Sequence, residues 1–302
     1  MKNFMLVLVI ILGTMAAAGL SCGEAPETGT GTLALYLSDA PIDAENVTGV
    51  YITINEIQYH IDDQWTTCGE FEGPQTYNLL ELTNGNSTLL GDLVLPGGHY
   101  NQIRFMLDIP EMGQDPYNPG CYIEFSGNST SPLFVPSGNT TGYKAVGQFT
   151  VPINGTVEVT ADFDVRKAVH LAASHYILWP TIRLVVNNEA GRISGMITNN
   201  STYTDIIVFA YEDGTWADTE NDEPVYPASR FPNAINSGKM CDDGHYTIPL
   251  LAAGTYDLAV AGYTGDVFGE VLGFVSDVVV ESNKTTKQDI DIGALEAGLW
   301  IM

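Results

Sequence analysis

Apolar and polar residues alternate with a period of two along most of this chain. In 33–37 the odd positions carry Leu33, Leu35 and Leu37, and in 50–57 the residues Val50, Ile52, Ile54 and Ile57 fall mostly on alternate positions. Further runs of the same kind cover 100–107, 122–125, 145–151, 156–163 and 176–186. Each is bounded by Gly, Pro, Asn or Asp, the residues that make turns, so the pattern predicts strands packed as an antiparallel sandwich. Only 165–173 reads as helical, and it is short. After the polar stretch 187–190 the alternation resumes in shorter runs at 192–198, 206–211, 245–249, 254–262, 274–280 and 286–292. Asp243-Gly244 and Ala253-Gly254 supply turn chemistry there. A long polar and aromatic insertion, 212–242, interrupts the second set. The expected fold class is all-β, with one β-sandwich domain over 32–186 and a smaller one over 191–302.

The first 22 residues have a different character. Lys2 gives a positive start, 4–12 is an apolar run too short to span a bilayer comfortably, and small residues follow at 16–19. That is the pattern of a secretory signal peptide. Gly19-Leu20-Ser21-Cys22 resembles a lipobox, whose Cys becomes a lipidated N-terminus after cleavage. The usual pattern has Leu three residues before the Cys and Gly or Ala just before it, where this chain has Gly19 and Ser21. The resemblance implies lipidation at Cys22, with 23–31 as a flexible tether and two or three acyl chains holding the protein at a membrane surface. Ordinary cleavage after Ala18 or Ser21, leaving Cys22 free, is the alternative. In an oxidising compartment Cys68 and Cys121, both in loop-like contexts, are expected to form a disulfide, with Cys241 left over.

Charge narrows the partners. Eleven Lys and Arg stand against 37 Asp and Glu, a formal net charge of −26 over 302 residues. Binding to nucleic acid or an anionic bilayer through a basic patch is thereby excluded. A hydrophobic content of 45% gives enough apolar residues for real cores. The five His (His60, His99, His170, His175, His245) are scattered, and no Gly-x-Ser-x-Gly elbow or phosphate-cradling loop occurs, so no enzyme is expected.

Four sets of residues carry candidate chemistry. Asp39 and Asp43 bracket the Ser38-Asp39-Ala40-Pro41 turn, and Asp162 and Asp164 end a strand; together they suit a hard cation such as Ca²⁺, the one cofactor considered. Pairing of Asp162 and Asp164 with Arg166, Lys167 or Arg183 is the competing account. A second acidic cluster, Asp218, Glu220, Asp222 and Glu223, lacks the Gly and terminal Glu of an EF-hand. Trp216, Tyr226 and Phe231 interrupt the insertion, either to stack sugar rings or to pin the loop onto its own sandwich. Finally Asn46, Asn86, Asn128, Asn139, Asn154, Asn199, Asn200 and Asn283 all fit Asn-x-Ser/Thr, either as glycan acceptors or as ordinary Asn/Thr-rich turns.

Two resemblances follow. The runs Leu35-Tyr36-Leu37-Ser38-Asp39-Ala40-Pro41, Leu79-Leu80-Glu81-Leu82, Leu95-Pro96-Gly97-Gly98-His99-Tyr100-Asn101-Gln102-Ile103-Arg104, Val135-Pro136-Ser137-Gly138, Asp162-Phe163-Asp164-Val165-Arg166-Lys167 and Tyr176-Ile177-Leu178-Trp179-Pro180-Thr181-Ile182-Arg183 resemble a family of secreted prokaryotic lipoprotein domains, the domain of unknown function 4382. That family brings no activity. Gly191-Arg192-Ile193-Ser194-Gly195-Met196-Ile197, Ile206-Ile207-Val208-Phe209-Ala210-Tyr211, Asp243-Gly244-His245-Tyr246-Thr247-Ile248 and Leu250-Leu251-Ala252-Ala253-Gly254-Thr255-Tyr256-Asp257-Leu258 resemble a carboxypeptidase regulatory-like domain. This is a transthyretin-like sandwich grouped with starch-binding-type folds, an accessory module rather than a peptidase. The expectation is a non-catalytic, membrane-anchored protein of a prokaryotic cell surface, in contact with a glycan or other surface proteins. A structural subunit assembling with copies of itself through edge strands is the alternative.

Overall fold

A computed structural model describes residues 29–41, 46–61, 63–109, 120–136, 141–172, 175–200, 202–225, 229–265 and 267–295. Cys22, Asp43, Asn139 and Tyr226 lie outside them. Among the described residues, thirteen strands fall within 30–186. They are β1 (Thr30–Asp39), β2 (Val47–Ile61), β3 (Gln64–Thr67), β4 (Gln75–Asn78), β5 (Thr88–Pro96), β6 (Gly98–Leu107), β7 (Tyr122–Phe125), β8 (Thr130–Phe134), β9 (Tyr143–Val151), β10 (Thr156–Phe163), β11 (Val169–Ala172), β12 (His175–Leu178) and β13 (Ile182–Val186). They form one sheet in the order β11-β12-β8-β7-β2-β6-β9-β13-β10-β1-β5, with β3 and β4 on β2. A single apolar cluster draws on Leu33, Leu35 and Leu37 of β1, Ile52 and Ile54 of β2 and Leu178 of β12. Strands this far apart in the order share a core because the sheet folds over on itself as a sandwich.

The alternation in β2 changes phase between Ile54 and Ile57, and the pairing shows why. A β-bulge lies between Ile54 and Glu56 opposite β6, so Val50, Ile52 and Ile54 face the core before it and Ile57 and Tyr59 after it. The pairing is mixed rather than antiparallel throughout: β1 runs parallel to β10, β8 to β12 and β9 to β13. The expected helix shrinks to α1 (Val165–Ala168), capped by Asp164, because Val169 turns extended and starts β11. The expected strand 176–186 is two strands. Trp179-Pro180-Thr181 separates them, and Pro180 has no N–H to give a ladder.

The second set of strands is β14 (Ala190–Thr198), β15 (Asp205–Glu212), β16 (Asn236–Lys239), β17 (His245–Ala252), β18 (Gly254–Thr264), β19 (Val267–Val280), β20 (Thr285–Lys287) and β21 (Ile290–Asp291). One sheet holds β17-β14-β20 with β21, and the other β16-β15-β18-β19. Ile206, Val208 and Ala210 of β15 enter the core between the sheets. Ile207, Phe209 and Tyr211 of the same strand point the other way and are equally buried, in a cluster with Phe231, Ala234 and Tyr263. A strand apolar on both faces needs cover on both, and part of the 212–242 insertion supplies the outer one.

Both sandwiches use one corner lock, where consecutive strands part to different neighbours. Tyr100 donates its hydroxyl hydrogen to the Pro96 carbonyl at 2.7 Å, and Tyr256 does so to Ala252 at 2.9 Å. In each case a Leu-x-x-Gly-x-Tyr run turns the chain and the ring then fixes the turn it has just made.

The expected Cys68–Cys121 bridge is not formed; both are free, buried thiols. Cys68 stands level with Ile57 of β2, whose carbonyl accepts its N–H at 2.8 Å. Cys121 directly precedes Tyr122, which pairs with Tyr51 on the other edge of β2. The stretch of β2 from Ile52 to Ile57 separates the two levels by about 17 Å, whereas a disulfide needs Cα atoms within about 7 Å. Burial pushes both thiols up to about 12, so neither is a thiolate at neutral pH. Alkylation of the native protein should therefore label exposed Cys241 and spare Cys68 and Cys121 until denaturant is added. Non-reducing peptide mapping that found Cys68 joined to Cys121 would refute this arrangement.

Candidate functional site

The structure brings three of the four carboxylates proposed for a cation to one place, and gives two of them cations of the chain's own. Asp162 of β10 lies opposite Arg183 of β13 in the antiparallel register. Arg183 donates to Asp162 Oδ2 from Nε at 2.9 Å and from Nη2 at 2.7 Å. Asp164 caps α1 by accepting the Lys167 N–H, and its Oδ2 takes Arg166 Nη2 at 2.9 Å with Lys167 Nζ at 3.3 Å. Among the described residues no group of three or more His, Cys, Asp or Glu side chains is placed to hold a metal ion. The ion-pair account of Asp162 and Asp164 is the one the geometry realises.

These pairs face the second sandwich and bind it. Arg166 is 5% exposed. Its Nη1 donates to the Phe231 carbonyl at 2.8 Å and its guanidinium lies 5.1 Å from the centre of the Phe209 ring. Lys167 Nζ donates to the Ala234 carbonyl. Asn236 of β16 donates its amide to Asp162 Oδ2 at 3.3 Å and to the Pro249 carbonyl at 3.0 Å. Asn84, from the turn before β5, accepts the Lys239 N–H at 2.8 Å. Beside this seam a polar cleft of about 600 Å³ opens between the sandwiches, with Ser38, Glu158 and Asn187 on one wall and Arg192, Pro249 and Lys284 on the other.

Asp39 is different. It is fully buried at the end of β1; its Oδ1 accepts the Val165 N–H at 3.0 Å, and its Oδ2 has no partner. Burial pushes its carboxyl well above the usual range, the Val165 N–H pulls it down, and the charges of Asp164 and Asp162 add to the rise. Asp164 goes the other way. Burial alone would raise it, but Arg166 and Lys167 outweigh burial and hold it below its ordinary value.

Of the insertion's aromatic residues, the two described ones, Phe231 and Trp216, pack in and against the core. Phe231 is fully buried and stacks on Phe209 at 4.1 Å between ring centres. Trp216 packs edge-on against Tyr211 and Phe274, at 5.1 and 4.9 Å. Glu220, from the second acidic cluster, is buried too, accepting the Tyr211 hydroxyl at 3.1 Å and the Asn233 N–H at 3.2 Å. The described pair therefore pins the loop to its own sheet instead of offering a stacking face. Asn46, Asn128, Asn154, Asn199 and Asn283 among the sequons have φ between 56° and 64°. Asn tolerates this left-handed turn conformation better than most residues, which accounts for its presence at these five positions. Asn86 is likewise exposed, while the Asn200 amide is tied to Tyr203.

A face without any signal in the linear sequence is the better candidate for binding. Trp65 of β3 pairs with His60 of β2, Gln58 of β2 with Arg104 of β6, and Arg104 with Lys144 of β9. These residues line up across the outer side of four adjacent strands. The Arg104 guanidinium lies 4.3 Å from the centre of the Trp65 ring, and Lys144 Nζ lies 5.8 Å from it. Arg104 Nε donates to Gln58 Oε1 at 2.6 Å and Nη1 to the Thr141 carbonyl at 3.4 Å. Among the described Lys and Arg residues, only Arg104, Lys144 and Arg192 form no ion pair with a carboxylate.

Two outcomes follow from the seam. Arg166→Ala leaves Asp164 with Lys167 alone and should cost about 3–5 kcal/mol, the usual penalty for breaking a buried pair. Calorimetry should then resolve two transitions where the wild type is expected to give one; an identical single transition in both would deny the seam its role. Asp39→Asn tests the buried acid. A carboxyl raised on folding contributes stability fully below its unfolded value, near 3.9, and loses it as pH climbs through the raised folded value. The variant should match the wild type near pH 4 and become progressively the more stable one as pH rises above it. A melting-temperature difference that does not change with pH would show that Asp39 stays ionised.

Comparison with solved structures gives distant β-rich likenesses. The Bacillus anthracis TIE protein is 11% identical, with 87% of this chain and 34% of that one covered and a TM-score of 0.22. The chain thus spans about a third of that protein's length. The minor pilin of Streptococcus agalactiae is 13% identical, with 85% and 94% covered and a TM-score of 0.20. The shaft pilin SpaA of Lactobacillus rhamnosus GG is 10% identical, with 89% and 99% covered and a TM-score of 0.23. Comparison with curated proteins finds no match. Half of the chain, residues 30–180 with Asp162, Asp164, Arg166, Lys167 and the Trp65 face within it, matches the model of the family described as Domain of unknown function (DUF4382), and the chain belongs to that family.

Proposed function

We propose that this protein is a non-catalytic, lipid-anchored protein of the cell surface that makes contact with a ligand through the outer face of its first sandwich. The observation that carries the reading is the pair Arg104 and Lys144, which share one aromatic ring and form no ion pair among the described residues, the nearby Glu56 being hydrogen-bonded to Gln58 and Thr67, in a chain of net charge −26. Carboxylates are abundant enough here to pair with every cation, so two cations held together outside any ion pair form a local exception in an acidic field. The leader and the Gly/Thr-rich 23–31 segment support anchoring at Cys22. No helix among the described residues is long and apolar enough to cross a membrane. The hairpin and turn pattern of 191–295 supports an accessory role of carboxypeptidase regulatory-like type for the second sandwich.

Assembly into a filament has its own supporting feature. β5 and β19 each end a sheet and carry exposed apolar residues, Leu89 and Val94 on one, Val267 and Val279 on the other. Three register shifts between β19 and β18 kink that edge, however, and bulged edges resist further pairing. Like charge on every copy opposes close association as well. Ligand contact by a separate molecule is therefore the favoured reading. Cys22→Ser should move the protein from the membrane to the soluble fraction; retention at the wild-type level would rule out the anchor. Size exclusion of the released protein should give a monomer, and a concentration-dependent polymer would favour the filament.

A further inference from the structure

We infer that the Trp65–Arg104–Lys144 face is a binding site for an acidic saccharide, a chain of sugar rings bearing carboxylate groups; this rests on the ligand-contact reading above. The first support is the preparation of Arg104. Its guanidinium is held on one side by the Trp65 ring and at its edge by Gln58 Oε1 and the Thr141 carbonyl. Its stem lies across Gly142, whose φ is +67° and where a Cβ would stand 3.1 Å from Arg104 Cδ. Side-chain entropy that a free Arg would lose on binding has thus largely been given up already. Nη2 has no acceptor among the described residues. Lys144 is exposed beside it on the same ring. A planar donor group next to a compact ammonium suits a carboxylate.

The second support is what adjoins the cations. His60 packs against Trp65 at 4.9 Å between ring centres and also lines a groove of about 500 Å³ together with Asp63, His99, Asn101 and Gln148. Those side chains both donate and accept hydrogen bonds, the pattern that reads sugar hydroxyls. Val146, 57% exposed, is an isolated large apolar residue on that stretch of β9, so the face lacks the apolar centre of a protein–protein contact. Two cations in a chain this acidic do not make a nucleic-acid surface. A ring with hydroxyls and one carboxylate matches groove and cations together.

The test is calorimetric titration of the full chain, purified in detergent, with hexamers of galacturonate and of mannuronate, a hyaluronan hexasaccharide, a neutral galactose hexamer and a poly-glutamate peptide. At least one acidic saccharide should bind saturably, the neutral hexamer should not, and added salt should weaken binding. Lys144→Gln changes an exposed side chain and should weaken binding about tenfold, as for a lost charge-assisted hydrogen bond. Arg104→Gln should abolish it, with the melting temperature of both variants used to confirm folding. Failure of all three acidic saccharides to bind would overturn the assignment. So would equal binding of the neutral hexamer, equal binding of the peptide, or affinity unchanged in Lys144→Gln. None of these results alters where the Cys22→Ser variant fractionates, so failure of the saccharide assignment and failure of surface anchoring are separately readable.

Discussion

Carboxylates taken out of water must be neutralised or matched, and in this chain that requirement organises the junction of the two sandwiches. Asp162 and Asp164 end the same strand on successive inward turns of the chain, and each meets a cation delivered by secondary structure: Arg183 by antiparallel register, Arg166 and Lys167 by the single turn that Asp164 itself caps. The cations then have donors to spare. Arg166 and Lys167 use them on the Phe231 and Ala234 carbonyls of the neighbouring sandwich. Solving the local electrostatic problem of the first sandwich thereby fixes the loop of the second. Asp39, one strand away, has no such cation and is left with backbone N–H groups alone.

The second sandwich is shaped by a matching apolar requirement. β15 is buried on both faces, which a two-layer sandwich cannot provide by itself. The insertion after it folds back with Trp216 and Phe231 as cover, and buried Glu220 ties it down through Tyr211 and Asn233. Polar and apolar constraints meet at Phe231. Its ring completes the outer core while its carbonyl receives Arg166, so the loop is clamped from both sides.

Period-two alternation made the long strands legible, and even the bulge in β2 is written in the three-residue step from Ile54 to Ile57. Short strands were less visible. Gln64-Trp65-Thr66-Thr67 and Gln75-Thr76-Tyr77-Asn78 bury little, so their pairing with β2 comes from a neighbour's free edge rather than from an apolar pattern. The 165–173 run looked helical from its Ala and Leu content, yet Val169 onward found a partner in β12 and took the extended form. Proximity of Cys68 and Cys121 was suggested by loop context and a shared compartment, neither of which encodes position along β2. Trp216 and Phe231 had a cue that pointed to the core, the unbroken apolar run of β15 that needed covering. The face of Trp65, Arg104 and Lys144 had none in any local window, because cross-strand register joins positions about forty residues apart. The scarcity of Lys and Arg was the one global hint that each deserved tracing to a partner.

The placement of β1 has a mechanical consequence. A load drawn through the 23–31 segment reaches the fold at Thr30, and that strand is hydrogen-bonded along its length on both sides, parallel to β10 and antiparallel to β5. Pulling along such a strand stretches its ladder bonds together in shear instead of opening them one by one. Because β10 carries Asp162 and leads into Arg166, the strand beside the loaded one also holds the latch to the second sandwich. Tension entering at one end of the molecule is thus passed to its far half through a ladder and an ion pair, without relying on the short connection at 187–190.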